Sequence, residues 1–224
     1  MKLLAIDTSS LACTVGVMND DAIVERHEVK AREHTRLLMP MISSALDEAG
    51  LDLGDLDAIA LGNGPGSFIG MRIGASVVQG LAFGAGLNIV PVSSMAVVAA
   101  EAGGPGDTVV VAQDAHMHQV YLGIYRIDEA GLPVALGDER LSDIESIADL
   151  DGLSVIAAGA GFERYPDLKA LNNEHLSSEP DVLYPRAGFL LRLAADSLNR
   201  GNSIGAEALR PAYLRQEVAK KPGK

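Results

Sequence analysis

Over the first thirty residues the apolar positions fall into short runs of strand period, and they predict a meander of three strands. Leu3 to Ile6 is an apolar run, and Leu11, Cys13, Val15 and Val17 then alternate with smaller or polar residues. Asn19-Asp20-Asp21 has turn chemistry, and Ala22 to Val29 returns as the third strand. The period then changes to a helical one. A helix is predicted from about Arg36 to Ala49, with Thr35 as N-cap and Gly50 as its stop. Pro40 should lie close to the first turn or kink the helix. Leu37, Leu38, Met39, Met41, Ile42, Ala45, Leu46 and Ala49 occupy more than one face, whereas a lone surface helix needs one apolar stripe. Two readings stay open: a second chain covers the extra face, or the helix is unusually central.

Ala58 to Leu61 reads as a strand, followed by Gly62-Asn63-Gly64-Pro65-Gly66-Ser67-Phe68-Ile69-Gly70 and a helix from about Met71 to Phe83. Ile89 to Val92 is the next strand, and Ser93 caps a helix that carries Met95, Val97 and Val98 and stops at Gly103-Gly104. The order is β-β-β-α-β-α-β-α. Gly103-Gly104-Pro105-Gly106 is the best boundary in the chain, which divides it into lobes 1–103 and 104–216 and a basic tail 217–224. Beyond that boundary the order begins again. Thr108 to Ala112, Gln119 to Ile127, Pro133 to Leu141 and Val155 to Ala158 read as strands, and Gly159-Ala160-Gly161 as a turn. Leu168 to Pro180 reads as loop, and Gly188 to Asn199 as an amphipathic helix. Two halves of the same plan imply an internal duplication with little residue repetition.

Composition narrows the class. The chain has 224 residues, 48% of them apolar, enough for a packed core. The acid at Asp7 comes too early for a signal-peptide core, and no stretch reads as long and apolar enough to span a bilayer. The single cysteine, Cys13, excludes an internal disulfide and reads as a small buried hydrophobe. Together these features predict a cytoplasmic protein. A net charge of −12 argues against a surface that tracks nucleic-acid phosphates. Lys220, Lys221 and Lys224 read as a solvated tail.

Three places carry potential chemistry. Asp7-Thr8-Ser9 ends the first strand, where hydroxyls and amides can cradle phosphate, or can simply satisfy the turn itself. The junction from Gly62 to Gly74 is far more specific. Gly64, Pro65, Gly66 and Ser67 leave backbone amides open to a ligand, and Arg72 adds charge near the helix start. Gly70, Gly74 and Ala75 favour the other use, close packing of helix on sheet. No lysine follows, so this is neither a phosphate loop of the Lys-Ser/Thr type nor a dinucleotide fingerprint. His116 and His118 have ligand-like spacing on one side of a strand, but nothing evidently converges on them, and a surface pair is the preferred reading. Nothing in the sequence matches a nucleophile elbow or a zinc-hydrolase motif.

Ile6-Asp7-Thr8-Ser9 together with Gly64-Pro65-Gly66-Ser67-Phe68-Ile69-Gly70-Met71-Arg72-Ile73-Gly74 resembles the TsaB (YeaZ, glycoprotease-like) family. His34, Gln113-Asp114-Ala115, Val120-Tyr121 and Pro211-Ala212-Tyr213-Leu214-Arg215 extend the resemblance over nearly the whole chain. The family pattern has threonine at Ile69 and arginine at His116. The resemblance implies an α/β, two-lobed fold of the actin/hexokinase/Hsp70 (ASKHA, RNase H-like) kind. It implies a non-catalytic scaffold and activating subunit in the formation of N6-threonylcarbamoyladenosine in tRNA, paired with a catalytic TsaD-like paralogue and joined by a TsaE-like ATPase. By the same resemblance the paralogue's two metal-binding histidines fall at Ser94 and Val98, and its acidic pair at Leu11 and Ala12, so no metal centre is expected here. The implied interface uses Leu37, Leu38, Met41, Ile42, Ala45, Met71, Ala75 and Val78, which a homodimer would also use. No cofactor of its own is expected, with ATP or ADP only at the assembled complex and tRNA met only through it. The alternatives are an autonomous ATPase or small-molecule kinase of the same fold, built on Asp7-Thr8 and Gly159-Ala160-Gly161, and a metalloprotease.

Overall fold

A computed structural model describes residues 1–150 and 152–215; the basic tail read from the sequence lies outside the described residues. The first sheet is built from β1 (Lys2–Asp7), β2 (Ala12–Asn19), β3 (Ala22–Val29), β4 (Ala58–Gly62) and β5 (Asn88–Val92), in the order β3-β2-β1-β4-β5. Its meander β1-β2-β3 is antiparallel, and β4 and β5 add to β1 in parallel. In the second sheet β6 (Thr108–Asp114), β7 (Gln119–Ile127), β8 (Pro133–Ala135), β10 (Val155–Ala158) and β11 (Leu176–Ser178) run β11-β10-β6-β7-β8. Counting outward from β6, the two sheets have the same order and the same pattern of pairing. The expected duplication and two-lobed actin-like architecture are therefore present in the topology itself.

Strand alternation distributes the core. Leu4 and Ile6 of β1 and Ile59 and Leu61 of β4 face α1 (His34–Ala49) and α2 (Phe68–Ala85). Leu3, Ala5, Ala58 and Ala60, on the opposite side, meet α6 (Ala187–Asn199). A five-residue helix, α4 (Ala160–Arg164), and α5 (Pro166–Asn172) cover the far face of the second sheet. Between the sheets lies α3 (Ser94–Ala102), with Val97 in the first-sheet core and Met95, Val98 and Ala99 in the second. A helix sandwiched this way is apolar all round. As expected, Ser93 caps it, accepting from the amides of Met95 and Ala96.

Several expectations are corrected. The first long helix opens at His34, not Arg36, with Glu33 at the cap position and Thr35 inside the helix. His34 is buried with Nε2 3.2 Å from the Ala12 carbonyl, which draws the first turn onto β2. Pro40 consequently lies in the second turn. The next helix starts at Phe68, because Ser67 Oγ accepts from the Gly70 amide and caps it there. At its full length of 18 residues α2 is apolar enough to cross a membrane by length and composition, contrary to the sequence reading. Here Ala75, Val78 and Ala82 pack it onto the first sheet.

The stretch Pro133–Leu141 is not one strand: β8 pairs one half of β7, and β9 (Arg140–Asp143) the other. The break falls where the Glu139 carboxylate accepts from Ser93 and Tyr125 hydroxyls. Residues read as loop from Leu168 form most of α5 and all of β11, tied by buried Asn172, which accepts from Ile147 N and donates to Leu168 O. His116 and His118 are not on a strand. They sit in the turn between β6 and β7, where His116, Met117 and His118 have φ of 60°, 54° and 61°. Finally, residues 187–209 return to the first lobe. α6 lies on the first sheet, where a Cβ at Gly16 would come within 2.9 Å of Ala187, and Ile204 bridges Ile89.

Candidate functional site

The two motifs that looked separate in the sequence form one unit. Asp7, Thr8 and Ser9 are buried, and the glycine-rich junction is laid directly over them. An added Cβ would stand 1.8 Å from Asp7 Oδ2 at Gly62, 2.2 Å from Ser9 O at Gly66, 2.0 Å from Thr8 O at Gly70 and 2.5 Å from Thr8 Oγ1 at Gly74. No side chain fits at those separations, so the glycines serve close approach of the junction to the first hairpin. Hydrogen bonds fasten the contact. Thr8 Oγ1 donates to Gly70 O at 2.8 Å, and Ser67 N donates to Ser9 O at 2.6 Å.

Ser94 completes the unit. Its hydroxyl donates to Asp7 Oδ2 at 2.6 Å and accepts from Gly64 N at 3.1 Å, while Asp7 Oδ1 accepts from Ser9 N at 2.7 Å. Burial pushes the Asp7 carboxyl above the ordinary carboxylate range, and the bonds from Ser94 and Ser9 hold it partly back. Of the two reference positions for metal-binding histidines, Ser94 thus spends its hydroxyl on Asp7 and Gly64, and Val98 is core. Ala12 is buried and Leu11 exposed. Cys13 is buried in the first-lobe core, and its thiol is pushed up to about 11 by burial and by Asp7.

The interface residues taken from the resemblance need correction. Leu38, Met41, Ile42, Ala45, Ala75 and Val78 are buried in this chain's own core, with Leu37 half-buried against it, and Met71 is buried over Gly64. They hold the two helices on the sheet. What these helices expose is different: Met39 at 49%, Ile69 at 70% and Phe83 at 83%, with Arg72, Ser76, Gly80 and Gly84 on the outer side of α2. Among the described residues, nothing lies within 4 Å of a Cβ built on Gly80 or Gly84. This side of α2 is exposed, with Ile69 and Phe83 outward and bare backbone at Gly80 and Gly84.

A cavity of about 110 Å³ lies between the lobes, bounded by Phe68 and Met71 on one side, Ala115, Met117 and Tyr121 on the other, and Tyr213 above. Over it runs the segment Arg210–Arg215. Arg72 reaches this segment, with its guanidinium 3.8 Å from the Phe68 ring centroid and Nε donating to Tyr213 Oη at 3.2 Å. The His116 imidazole sits 3.3 Å from Asp114, and the His118 ring meets Tyr165 edge-on. Sequence reasoning missed Ser94 as the partner of Asp7, since only the fold brings them together. It quoted Tyr213 and Arg215 as family pattern without a role.

Comparison with known proteins agrees with these features. A family model described as "TsaD: tRNA N6-adenosine threonylcarbamoyltransferase" matches residues 26–173. The TsaB protein of Escherichia coli is 36% identical over all of both chains, and that of Haemophilus influenzae 33% identical over all of this chain and 98% of the relative. The structure of YeaZ from Pseudomonas aeruginosa superposes with a TM-score of 0.85 at 36% identity, covering 95% of this chain and 99% of that one. On sequence over its full length and on fold, the chain belongs to the TsaB (YeaZ) family of tRNA threonylcarbamoyladenosine biosynthesis proteins.

Proposed function

We propose that this chain acts in the formation of N6-threonylcarbamoyladenosine in tRNA as a non-catalytic scaffold and activating subunit of a complex with a TsaD-type catalytic paralogue. The full-length match to proteins named for that biosynthesis carries the role in the pathway. The sealed junction supports the non-catalytic part. Asp7, Thr8 and Ser9 are occupied by the glycine segment, and Ser94 is committed to Asp7 and Gly64, so the residues best placed for chemistry already hold the fold together. The same occupancy weakens the reading as an autonomous ATPase, because a phosphate cradle needs those amides and hydroxyls turned outward.

In this reading the chain works through surface. The exposed side of α1 and α2, carrying Met39, Ile69 and Phe83, meets the paralogue, and a second copy of the chain occupies it when the paralogue is absent. A TsaE-like ATPase and ATP or ADP belong to the assembled complex, and tRNA is met through the partner in keeping with the net charge of −12. The protein works in the cytoplasm.

The test is a pair of charge insertions with depletion behind them. Met39→Asp and Phe83→Asp should each weaken co-purification with the paralogue at least about tenfold, the loss of a buried apolar contact, while leaving thermal stability within a degree or two. Cells relying on the double variant should show reduced threonylcarbamoyladenosine by mass spectrometry of digested tRNA. Full modification in cells depleted of the chain would end the proposal. Activity of the purified chain alone on unmodified tRNA would end its non-catalytic part.

A further inference from the structure

The segment from Leu209 to Arg215 joins the lobes at a place where the fold does not otherwise require it. Leu209 is buried in the first-lobe core, and Leu214 packs on the core below the second sheet. Between them the chain is held at each end by different partners. On the first-lobe side Asn63 Nδ2 donates to Arg210 O at 3.0 Å, and Tyr213 packs 5.4 Å from the Phe68 ring with Arg72 bridging both. On the second-lobe side Arg215 Nη2 donates to Ala115 O at 3.0 Å and to Gln119 Oε1 at 2.8 Å, and Nη1 lies 3.5 Å from Met117 Sδ.

The loop that Arg215 grips is unusual. His116, Met117 and His118 take left-handed backbone in succession, at φ between 54° and 61°, and none is glycine. L-residues avoid that region, so the conformation persists because its surroundings impose it. Asp114 Oδ1, accepting from His116 N at 2.8 Å and Tyr165 Oη at 2.9 Å, supplies one restraint. The turn's own bonds, Ala115 N to Gln119 O and Gln119 N to His116 O, both 3.0 Å, supply a second, and Arg215 a third. Beneath the strap the 110 Å³ cavity leaves room for side chains to move. The opposite end of the strap bears on Phe68 and Arg72, in the first turns of the helix that also exposes Ile69 and Phe83.

We propose that the Arg210–Arg215 strap couples the two lobes, so that occupation of the outer face of α2 by a partner protein shifts the His116–His118 loop between two conformations. The inference deepens the reading of that face as a partner surface and rests on it. Coupling of this kind is reciprocal, since whatever the partner does to the loop the loop does to partner affinity. Arg72 and Arg215 are positioning residues in this scheme, one at each end.

Hydrogen exchange on the full chain, free and bound to its TsaD-type paralogue, tests it. In the free chain Arg72→Ala should speed exchange of the Ala115 and Gln119 amides about tenfold, although Arg72 touches neither, and Arg215→Ala should do so at least as much. Arg215→Lys, which keeps the charge but loses the two-pronged contact, guards against a folding artefact and should fall between. Unchanged exchange at those amides in Arg72→Ala overturns the proposal whether or not the paralogue binds. In the complex, wild-type exchange over 115–119 should change, and Arg215→Ala should abolish that change while α2 stays protected. Protection of 115–119 that survives Arg215→Ala would mean direct cover by the partner and would also overturn it. Failure of the paralogue to protect α2 at all counts against the proposed function, not against the strap, which the free-chain result decides.

Discussion

The two lobes repeat one plan, yet they treat the equivalent corner oppositely. In the first, the β1–β2 turn at Asp7–Ser9 is buried beneath the glycine junction and an 18-residue helix. In the second, the β6–β7 turn at His116–His118 is exposed, and the matching helix α4 has five residues. Both use glycine to bring helix to hairpin: Gly66 and Gly70 lie against Ser9 O and Thr8 O, while a Cβ built on Gly159 or Gly161 would stand 2.3 or 2.8 Å from Ala112 O. The contact in the second lobe falls inside β6, short of the turn, so the turn is left uncovered. Duplication preserved the sheet, and the divergence lies in how far the helix reaches over the loop. One corner became a fixed joint and the other a strained, strap-held loop.

The comparison breaks most sharply at Gly70. An alanine there would place Cβ 2.0 Å from Thr8 O, backbone against backbone, and should cost about 3 kcal/mol or more in urea unfolding. Gly84→Ala on the same helix meets nothing within 4 Å and should instead add up to ~1 kcal/mol from helix propensity. If both substitutions are tolerated, the first-lobe joint is not fixed as described. Because Gly84 lies on the outer face, its stabilised variant should also bind the paralogue less well, which separates fold glycines from surface glycines in one helix.

Ser94→Ala attacks the joint from the other side. It leaves Asp7 Oδ2 and Gly64 N without their shared hydroxyl and should cost about 1–3 kcal/mol, measurable by the same unfolding curves. The second-lobe loop should respond in the opposite sense. Met117→Gly removes a side chain from left-handed backbone and should be neutral or stabilising by up to about 1 kcal/mol. A clear loss of stability in Met117→Gly would show that the loop is held by side-chain packing and not merely tolerated.

Much of this was legible in the sequence, for physical reasons that differ by region. The meander follows from alternation in its second strand and the Asn19–Asp21 turn, the first parallel strands follow from short apolar runs, and Ser93 announced its helix by cap chemistry. The glycine junction was found as a motif, and its use in close packing was one of the two readings the glycines allowed. The interface residues were misplaced because apolarity does not say which face of α1 or α2 looks inward; Leu38 and Met41 are core, while Met39 between them is exposed. The run from Leu168 hid α5 because its order depends on Asn172, a buried polar residue bonded to Ile147 and Glu145 far along the chain. Ser94 meets Asp7 across 87 residues, a pairing no local pattern records.

The smallest expected effect concerns charge at the fixed joint. Burial raises the Asp7 carboxyl above its value in an unfolded chain, so the folded protein keeps that proton at a pH where the unfolded chain has released it. Stability contributed by this group is therefore greatest below the ordinary carboxylate value of about 4. It declines as pH rises from there through the raised value, and stays at its lower level above. Asp7→Asn carries no such titration, and its side-chain oxygen can still accept from Ser9 N, although the Ser94 hydroxyl loses its acceptor. Subtracting the variant's unfolding free energy from that of the wild type, pH by pH, cancels the other carboxyls. The difference should slope downward above about pH 4 and level once the raised value is passed. A flat difference would mean that Asp7 ionises as freely in the folded protein as outside it, and that the first-lobe corner is less sealed than its glycine contacts make it.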